Sequence, residues 1–285
     1  MLKETREGLK IMDDVDGQEF LFINSDRLSD CIDYLHENDL RYVAITFVHG
    51  FKGKDLSFLL ELKDFLEGLI ILDSHYDLSS VNELHKLKYI AVHDNGKDIV
   101  DFNNFPDLEI CTYTYSKRFL GLESCKNMKM LGINKFKSKK KDLSILHSFQ
   151  KLEELSIMIA DITNLNGIER YKSLKKLFLY GARNLETLKP LNELKENIEV
   201  VEIYNCKKIS DFEVLGELKL LNKIILMDSG RIESLAFIQG LPNLKFLSFG
   251  GTIVTDGNLS YCEGIEMVGF DNKRHYSHRV EQFMK

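Results

Sequence analysis

The amino-acid sequence predicts an α/β repeat solenoid, in which short parallel strands alternate with tight helical returns. Segments of the form L-x-x-L-x-L, with any apolar residue in place of leucine, recur eleven times within residues 40–270, at spacings of 20 to 26 residues. Between these segments apolar residues recur at every third position, which suits a 3₁₀ or short helical turn with one inward face. Neither half of such a unit can bury its apolar side alone, so the units must stack.

The motif also defines which side chains face the core. Because a strand alternates its side chains, the first, fourth and sixth positions point inward and the third, fifth and seventh point to solvent. The returns repeat as regularly: Leu174 is followed by Leu185, Leu188, Leu191 and Leu194, and the next two units keep these offsets. The first positions of the eleven motifs are Leu40, Leu66, Leu87, Leu108, Met128, Leu152, Leu174, Ile198, Leu221, Leu244 and Ile265.

A solenoid needs caps, because its terminal units would otherwise expose an apolar edge. Residues 1–39 are predicted to form the N-terminal cap, with a strand at Glu19–Ile23 and a helix that begins at Ser25 as the N-cap residue. The polar segment 271–285 is predicted to close the other end, anchored by Tyr276 and Phe283.

The repeat resembles the leucine-rich repeat family, especially the internalin-like type with about 22 residues per repeat. The copies LEELSI from Leu152, LKKLFL from Leu174 and IEVVEI from Ile198 carry the resemblance, which covers about residues 40–270. It implies a curved leucine-rich-repeat solenoid with parallel strands on the concave face and short 3₁₀/α turns on the convex face. The family's Asn/Cys position is matched by Asn95 and Cys206, whereas other repeats have small residues there.

The 33 solvent-facing strand positions have an unusual composition. Five are charged, although the chain-wide 29% predicts nine or ten, and six are aromatic where about three are expected. Low charge with abundant Tyr, Phe and Met is typical of a protein-binding surface. The alternative is ordinary packing, with the first strands covered by the N-terminal cap. The predicted partner-binding residues are Met158, Phe178, Tyr180, Tyr204, Ile225 and Met227 as anchors, with Lys176, Glu202 and Lys223 for orientation.

Composition limits the remaining function classes. A formal net charge of −6 argues against a dedicated nucleic-acid binder. No stretch approaches 18 consecutive apolar residues, and the N-terminus has no signal-peptide pattern. Five cysteines without a C-x-x-C pair fit free thiols in a reducing compartment. We therefore expect a cytoplasmic, non-enzymatic protein with no cofactor, either a monomer or a weak homodimer, that binds a protein as an adaptor or as an immunity-type inhibitor.

Three other patterns offer weaker alternatives. His93-Asp94 ends a strand and could act as an acid/base pair in a groove-edge enzyme, but no nucleophile is recognisable beside it. His275-x-x-His278 has a spacing seen in metal sites, without a matching ligand pattern. The basic run Lys135–Lys141 could bind nucleic acid or an acidic surface, although such runs are more often solvated loops.

Overall fold

The L-x-x-L-x-L motifs form short parallel strands, and their first, fourth and sixth residues are buried in nearly every repeat, as the spacing predicts. The structure is a computed structural model that describes residues 2–14 and 17–284. Its contacts divide the chain after Met128 into two units, a first unit of residues up to 128 and a second unit from 129 onward.

The first unit contains one sheet that starts antiparallel and becomes parallel. Strands β1, β2 and β3 form an antiparallel meander, and β3 then begins a parallel ladder with β4, β5, β6 and β8. The short strands β7 and β9 pair with each other in the returns. The bounds are β1 Leu2–Glu4, β2 Lys10–Asp13, β3 Glu19–Phe22, β4 Tyr42–Ile45, β5 Gly68–Ile71, β6 Tyr89–Val92, β7 Val100–Asp101, β8 Ile110–Thr114 and β9 Phe119–Leu120.

Helix α1 (Leu28–Glu37) follows β3 and buries Cys31 and Leu35 completely. The prediction that Ser25 is the N-cap residue of this helix is wrong, because the helix begins after a 3₁₀ turn (Ser25–Arg27) that Asn24 caps. Asn24 takes an extended backbone conformation, and its side-chain oxygen accepts the Asp26 N–H at 2.9 Å. An extended residue with a short polar side chain is what an N-cap requires. The turn it caps is 3₁₀, and the further 3₁₀ returns of this unit are Phe47–His49, Ser57–Leu62, Ser79–Glu83, Phe102–Asn104 and Leu122–Ser124.

The second unit is a parallel ladder throughout. Strands β10, β11, β12, β13, β14, β16 and β18 pair in chain order, and β15 pairs with β17 in the returns. The strands are β10 Met130–Asn134, β11 Glu154–Met158, β12 Lys176–Tyr180, β13 Val200–Tyr204, β14 Lys223–Met227, β15 Arg231–Ile232, β16 Phe246–Ser248, β17 Ile253–Val254 and β18 Met267–Gly269. The 3₁₀ returns are Ile168–Arg170, Lys189–Leu194, Phe212–Glu217, Leu235–Gly240, Ser260–Cys262 and Val280–Phe283.

The apolar residues spaced by three line the inner side of these returns. Leu185, Leu188, Leu191 and Leu194 are all fully buried, and the equivalent residues of the next two units are nearly so. Burial of each such side chain stabilises the fold by about 2 kcal/mol relative to leaving it exposed. The period of three is therefore confirmed as the packing period of the returns.

A line of small polar side chains runs through the core at the Asn/Cys position. The Ser229 hydroxyl donates to the Met227 carbonyl at 2.8 Å and accepts the Cys206 N–H at 3.4 Å. Thr252 repeats the arrangement, because its Oγ1 accepts the Ser229 N–H at 2.9 Å and donates to the Leu226 carbonyl at 2.6 Å. The hydroxyls of these two repeats thus form hydrogen bonds with backbone N–H and C=O groups that strand pairing leaves without a partner.

The C-terminal segment packs on the last strands through aromatic rings. Tyr276 and Phe283 lie edge-on to Phe270, with ring centroids 5.8 and 5.9 Å away. The Tyr276 hydroxyl also accepts the N–H of Val254 at 3.0 Å. These two aromatic residues are the anchors that the sequence predicts for the tail.

Candidate protein-binding face

Parallel pairing aligns the solvent-facing residues of β11 to β14 in three rows. In these strands the register pairs Ser156, Phe178, Glu202 and Ile225 in one row. We call the solvent-facing surface of these four strands the strand face. It consists of Glu154, Ser156, Met158, Lys176, Phe178, Tyr180, Val200, Glu202, Tyr204, Lys223, Ile225 and Met227, and so includes all nine predicted partner-binding residues.

A stack of three aromatic rings occupies the middle of the strand face. Because Tyr180 and Tyr204 are direct neighbours on β12 and β13, their rings stack with centroids 4.8 Å apart and planes 19° from parallel. Phe178 extends the stack, with its centroid 6.5 Å from that of Tyr180. All three rings remain partly exposed. Stacking of this kind restricts the motion of each ring.

The charges of the strand face are paired within it. Lys176 Nζ lies 3.3 Å from Glu154 Oε2, and Lys223 Nζ lies 2.7 Å from Glu202 Oε1. The second oxygen of Glu202 accepts the Tyr204 hydroxyl at 3.1 Å, and the Glu202 residue is only 9% exposed. Pairing reduces the cost of covering these charges, so the strand face can be buried as a nearly neutral surface.

Burial and the Glu202 carboxylate together raise the pKa of Tyr204 to about 12. The same two causes, burial first, raise the pKa of Tyr180. Both hydroxyls therefore stay protonated at physiological pH. Each can donate a hydrogen bond, and neither adds negative charge beside Glu202.

Met227 extends the apolar area over the neighbouring strand. A Cβ on Gly250 would lie 2.7 Å from Met227 Cε, so the methionine lies across the space that the missing side chain leaves. Lys223 reaches in the same direction, with Nζ 5.4 Å from the ring centroid of Phe246. Phe246 is thus connected to the strand face, although it is not among the nine predicted residues.

In the first unit, by contrast, the equivalent surface is occupied by the chain itself. The ring of Phe20 lies edge-on to those of Tyr42 and Tyr89, with centroids 5.3 and 5.0 Å away, and Met12 packs on the same cluster. A Cβ on Gly68 would lie 2.0 Å from the Tyr42 ring, so glycine is what allows that ring to lie flat. The rings of Tyr42 and Tyr89 therefore pack against residues of the N-terminal meander, although both residues remain partly exposed.

No protein-family model matches the sequence. Among solved structures, an internalin (InlF) from Listeria monocytogenes superposes with a TM-score of 0.53 at 21% identity, over 82% of this chain and 73% of that chain. The chain has the leucine-rich-repeat fold. Weaker likenesses are internalin C2 of the same organism (TM-score 0.38, 20% identity, 53% of this chain and 74% of that chain) and an LRR protein of Leptospira interrogans (0.36, 14%, 85% and 87%).

The leucine-rich-repeat strands of the second unit share a backbone conformation at their ends. The residue after the seventh position has a positive φ in six consecutive repeats: Lys135, Ile159, Gly181, Asn205, Asp228 and Gly251. This turn lets each N–H reach the next repeat, as from Ile159 to the Tyr180 carbonyl at 2.7 Å. Glycine and asparagine suit this region, whereas a β-branched residue is strained there. Ile159, with φ 53° and 62% of its surface exposed, is the strained member.

Replacing Ile159 by asparagine is expected to raise the free energy of unfolding by about 1 kcal/mol, because asparagine tolerates a positive φ and little buried apolar surface is lost. Urea unfolding at unchanged m-value measures the gain. The matched control is Ile145→Asn, since Ile145 is also exposed (42%) but is not among the positive-φ residues. Equal midpoints for the two variants would contradict strain at Ile159.

In the groove-edge alternative, His93 and Asp94 would act as an acid/base pair. In the structure the two side chains contact different partners. His93 Nδ1 lies 3.1 Å from Thr114 Oγ1, whereas Asp94 pairs with Arg118 Nη1 at 3.2 Å and accepts the Gly96 N–H at 2.8 Å. Burial opposes ionisation of Asp94, but hydrogen bonds from Ser116 and Gly96 and the charge of Arg118 outweigh it and lower the pKa. Asp94 is thus held as a loop-stabilising carboxylate.

The two C-terminal histidines are held by separate partners. His275 Nε2 lies 2.9 Å from the Val254 carbonyl oxygen, and His278 Nε2 lies 3.3 Å from Glu263 Oε1. Within residues 2–14 and 17–284, no three His, Cys, Asp or Glu side chains converge as metal ligands. Among the same residues, no helix is both long and apolar enough to cross a membrane.

Two residues beside the strand face were not among the nine predicted ones. Phe246 occupies a third motif position, so the register alone could have included it. Ile159 lies one residue past the end of β11. The side chain that normally turns inward is that of the following residue, at position 160. Only the backbone conformation of Ile159 turns its side chain to solvent.

Proposed function

We propose that this chain is a non-enzymatic module that binds a protein partner on the strand face. One observation carries the proposal: a preformed aromatic and methionine surface on adjacent strands, whose charges are already paired. Such a surface loses little entropy on binding and costs little to dehydrate. The nine residues from Met158 to Met227 are the proposed partner-binding residues, with Phe178, Tyr180 and Tyr204 at the centre.

The proposed role is that of an adaptor or of an immunity-type inhibitor, since both would use the same face. All five cysteines are free and buried, which supports a reducing, cytoplasmic location. Burial raises the pKa of the Cys206 thiol to about 11, which supports a structural rather than a nucleophilic role. We propose a monomer or weak homodimer that needs no cofactor.

The experiment compares partner capture from a lysate of the source organism, with mass spectrometry, for the wild type and the variant Phe178→Ser/Tyr180→Ser/Met227→Ser. This variant leaves the Glu202 contacts in place. Loss of three of the six proposed anchors is expected to weaken capture about a hundredfold or more. The matched control removes three exposed apolar residues of the first unit: Phe47→Ser/Val48→Ser/Leu72→Ser.

Circular dichroism of both variants establishes that they are folded. A partner that the control retains and the strand-face variant loses supports the proposal. A partner that both variants retain at wild-type affinity contradicts it. The second candidate, nucleic acid or an acidic surface at Lys135–Lys141, would then be favoured, because the lysines of that loop are exposed. In that loop Phe136 is fully buried and cannot stack on bases.

A further inference from the structure

A band of cations borders the strand face at the carboxyl ends of its strands. The residues are exposed and follow β10, β12 and β13, so the parallel register places them on one side of the ladder. We call this band the basic edge. It consists of Lys135, Lys137, Lys139, Lys140, Arg183 and Lys207.

Backbone contacts show how closely the basic edge follows the strand face. The Lys135 N–H donates to the carbonyl of Met158 at 2.8 Å, so the loop after β10 begins directly beside a proposed anchor. Lys137 forms a parallel bridge with Asp161 of the next repeat. Exposed Ile159 stands between these cations and the anchors. A partner that binds on the strand face would therefore also contact the basic edge.

The carboxylate lying among these cations is already engaged. Asp161 pairs with Lys141, and its other oxygen accepts the Asn184 amide at 3.4 Å. The hydrogen bond from Lys141 is the main reason that the pKa of Asp161 is lowered. Lys208 joins the same chain of contacts, 2.9 Å from Asn184 Oδ1. The network thus contains two lysines for one carboxylate and leaves a positive excess.

The remaining cations lack an acidic partner in the part of the chain that the structure describes. Lys135, Lys139, Lys140, Arg183 and Lys207 make no ion pair among those residues. At the opposite, amino ends of the strands two ion pairs form, between Lys175 and Glu153 at 2.9 Å and between Lys245 and Glu266 at 3.4 Å. A chain of net charge −6 therefore concentrates unpaired positive charge on one side of its proposed binding surface.

We propose that the protein partner carries an Asp/Glu-rich segment that lies along the basic edge while its apolar residues cover the strand face. This inference rests on the proposed function and adds the charge and orientation of the partner. Complementary rim charges speed association and select among partners. Arg183 can bind a carboxylate through two parallel hydrogen bonds. A protein fits better than a nucleic acid, because the lysines of the adjoining strand face are already paired with Glu154 and Glu202 and are not available to phosphates.

The test uses a phage-displayed library of random peptides selected on the immobilised full chain, followed by synthesis of the recovered peptides. Wild type is expected to recover peptides that combine aromatic or aliphatic residues with an excess of Asp and Glu. These peptides are expected to bind about tenfold more weakly to a variant without the edge charges, with a difference that shrinks as salt rises from about 50 to 200 mM. That variant is Lys139→Gln/Lys140→Gln/Arg183→Gln/Lys207→Gln.

The matched control changes net charge equally but elsewhere on the second unit, and it is expected to bind as wild type does. It is Lys172→Gln/Lys175→Gln/Lys195→Gln/Lys245→Gln. Peptides that need Phe178 and Tyr180 but show no acidic excess, or that bind the basic-edge variant normally, would overturn this inference and leave the proposed function intact.

Failure to recover any peptide that depends on the strand face would overturn both. A labelled single-stranded RNA that wild type binds and the basic-edge variant does not, with no acidic peptides recovered, would replace the inference by nucleic-acid binding.

Discussion

Replacing Gly167 by alanine is expected to lower the free energy of unfolding by about 3 kcal/mol. Gly167 has φ +103°, and a Cβ there would lie 2.7 Å from the Leu143 carbonyl carbon and the Ser144 nitrogen. A left-handed backbone costs an L-residue about 1–2 kcal/mol, and the overlap adds a similar amount if neighbours must move.

The neighbouring segment cannot move cheaply, because the following turn holds it. The Arg170 guanidinium donates to the carbonyls of Ser144 and Leu146 at 2.9 Å each, and the Tyr171 hydroxyl donates to that of His147 at 2.9 Å. Any shift that accommodates the methyl group would break some of these bonds. The loss should appear in urea unfolding as a lower midpoint.

Gly181→Ala is the matched control. Gly181 also has a positive φ, +67°, but a Cβ there would meet no atom closer than the Ile159 Cα at 4.0 Å. Only the backbone cost remains, about 1 kcal/mol. Equivalent positions hold Asn205 and Asp228, so side chains fit there. If the two alanine variants lose the same free energy of unfolding, the overlap at Gly167 does not contribute to stability and this prediction is wrong.

Thr252→Val is expected to lower the free energy of unfolding by about 2–3 kcal/mol, although the side-chain shape is kept. Valine removes the hydroxyl group, whose oxygen accepts the Ser229 N–H and whose O–H donates to the Leu226 carbonyl, and both Thr252 and Ser229 are almost completely buried. A buried donor without a partner costs about 1–3 kcal/mol. Hydrogen exchange should also show faster exchange of the Ser229 amide.

The comparison variant is Thr252→Ser, which keeps the hydroxyl and removes one methyl group. It should cost about 1 kcal/mol, close to the value for one buried methylene. A serine variant as unstable as the valine variant would show that packing, and not the hydrogen-bonded hydroxyl, gives this position its importance.

The strand register could be predicted because it depends on a strict period. A shift of one residue would turn Leu177 and Leu179 to solvent and bury Phe178, which the apolar pattern forbids. The pairing of Glu154 with Lys176 follows from the same register. The aromatic stack also follows, since Tyr180 and Tyr204 occupy one position in neighbouring repeats.

Other features could not be predicted from the period, because they depend on contacts between segments far apart in the chain. Tyr42 and Tyr89 lie at solvent-facing motif positions, as Tyr180 and Tyr204 do, yet Phe20 and Met12 pack on them. Asn24, not Ser25, caps the first turn because its backbone is the extended one. Whether Lys141 or Lys139 pairs with Asp161 depends on where the loop returns.

The sequence by itself determined the repeat, the side of each strand that faces the core and the residues of the strand face, because stacking imposes one period on all units. Only the tertiary structure decided which part of that surface stays open, which charges neutralise one another and where the cations without partners collect. Those outcomes depend on distances between residues from different repeats and from the N-terminal meander, which no local pattern encodes.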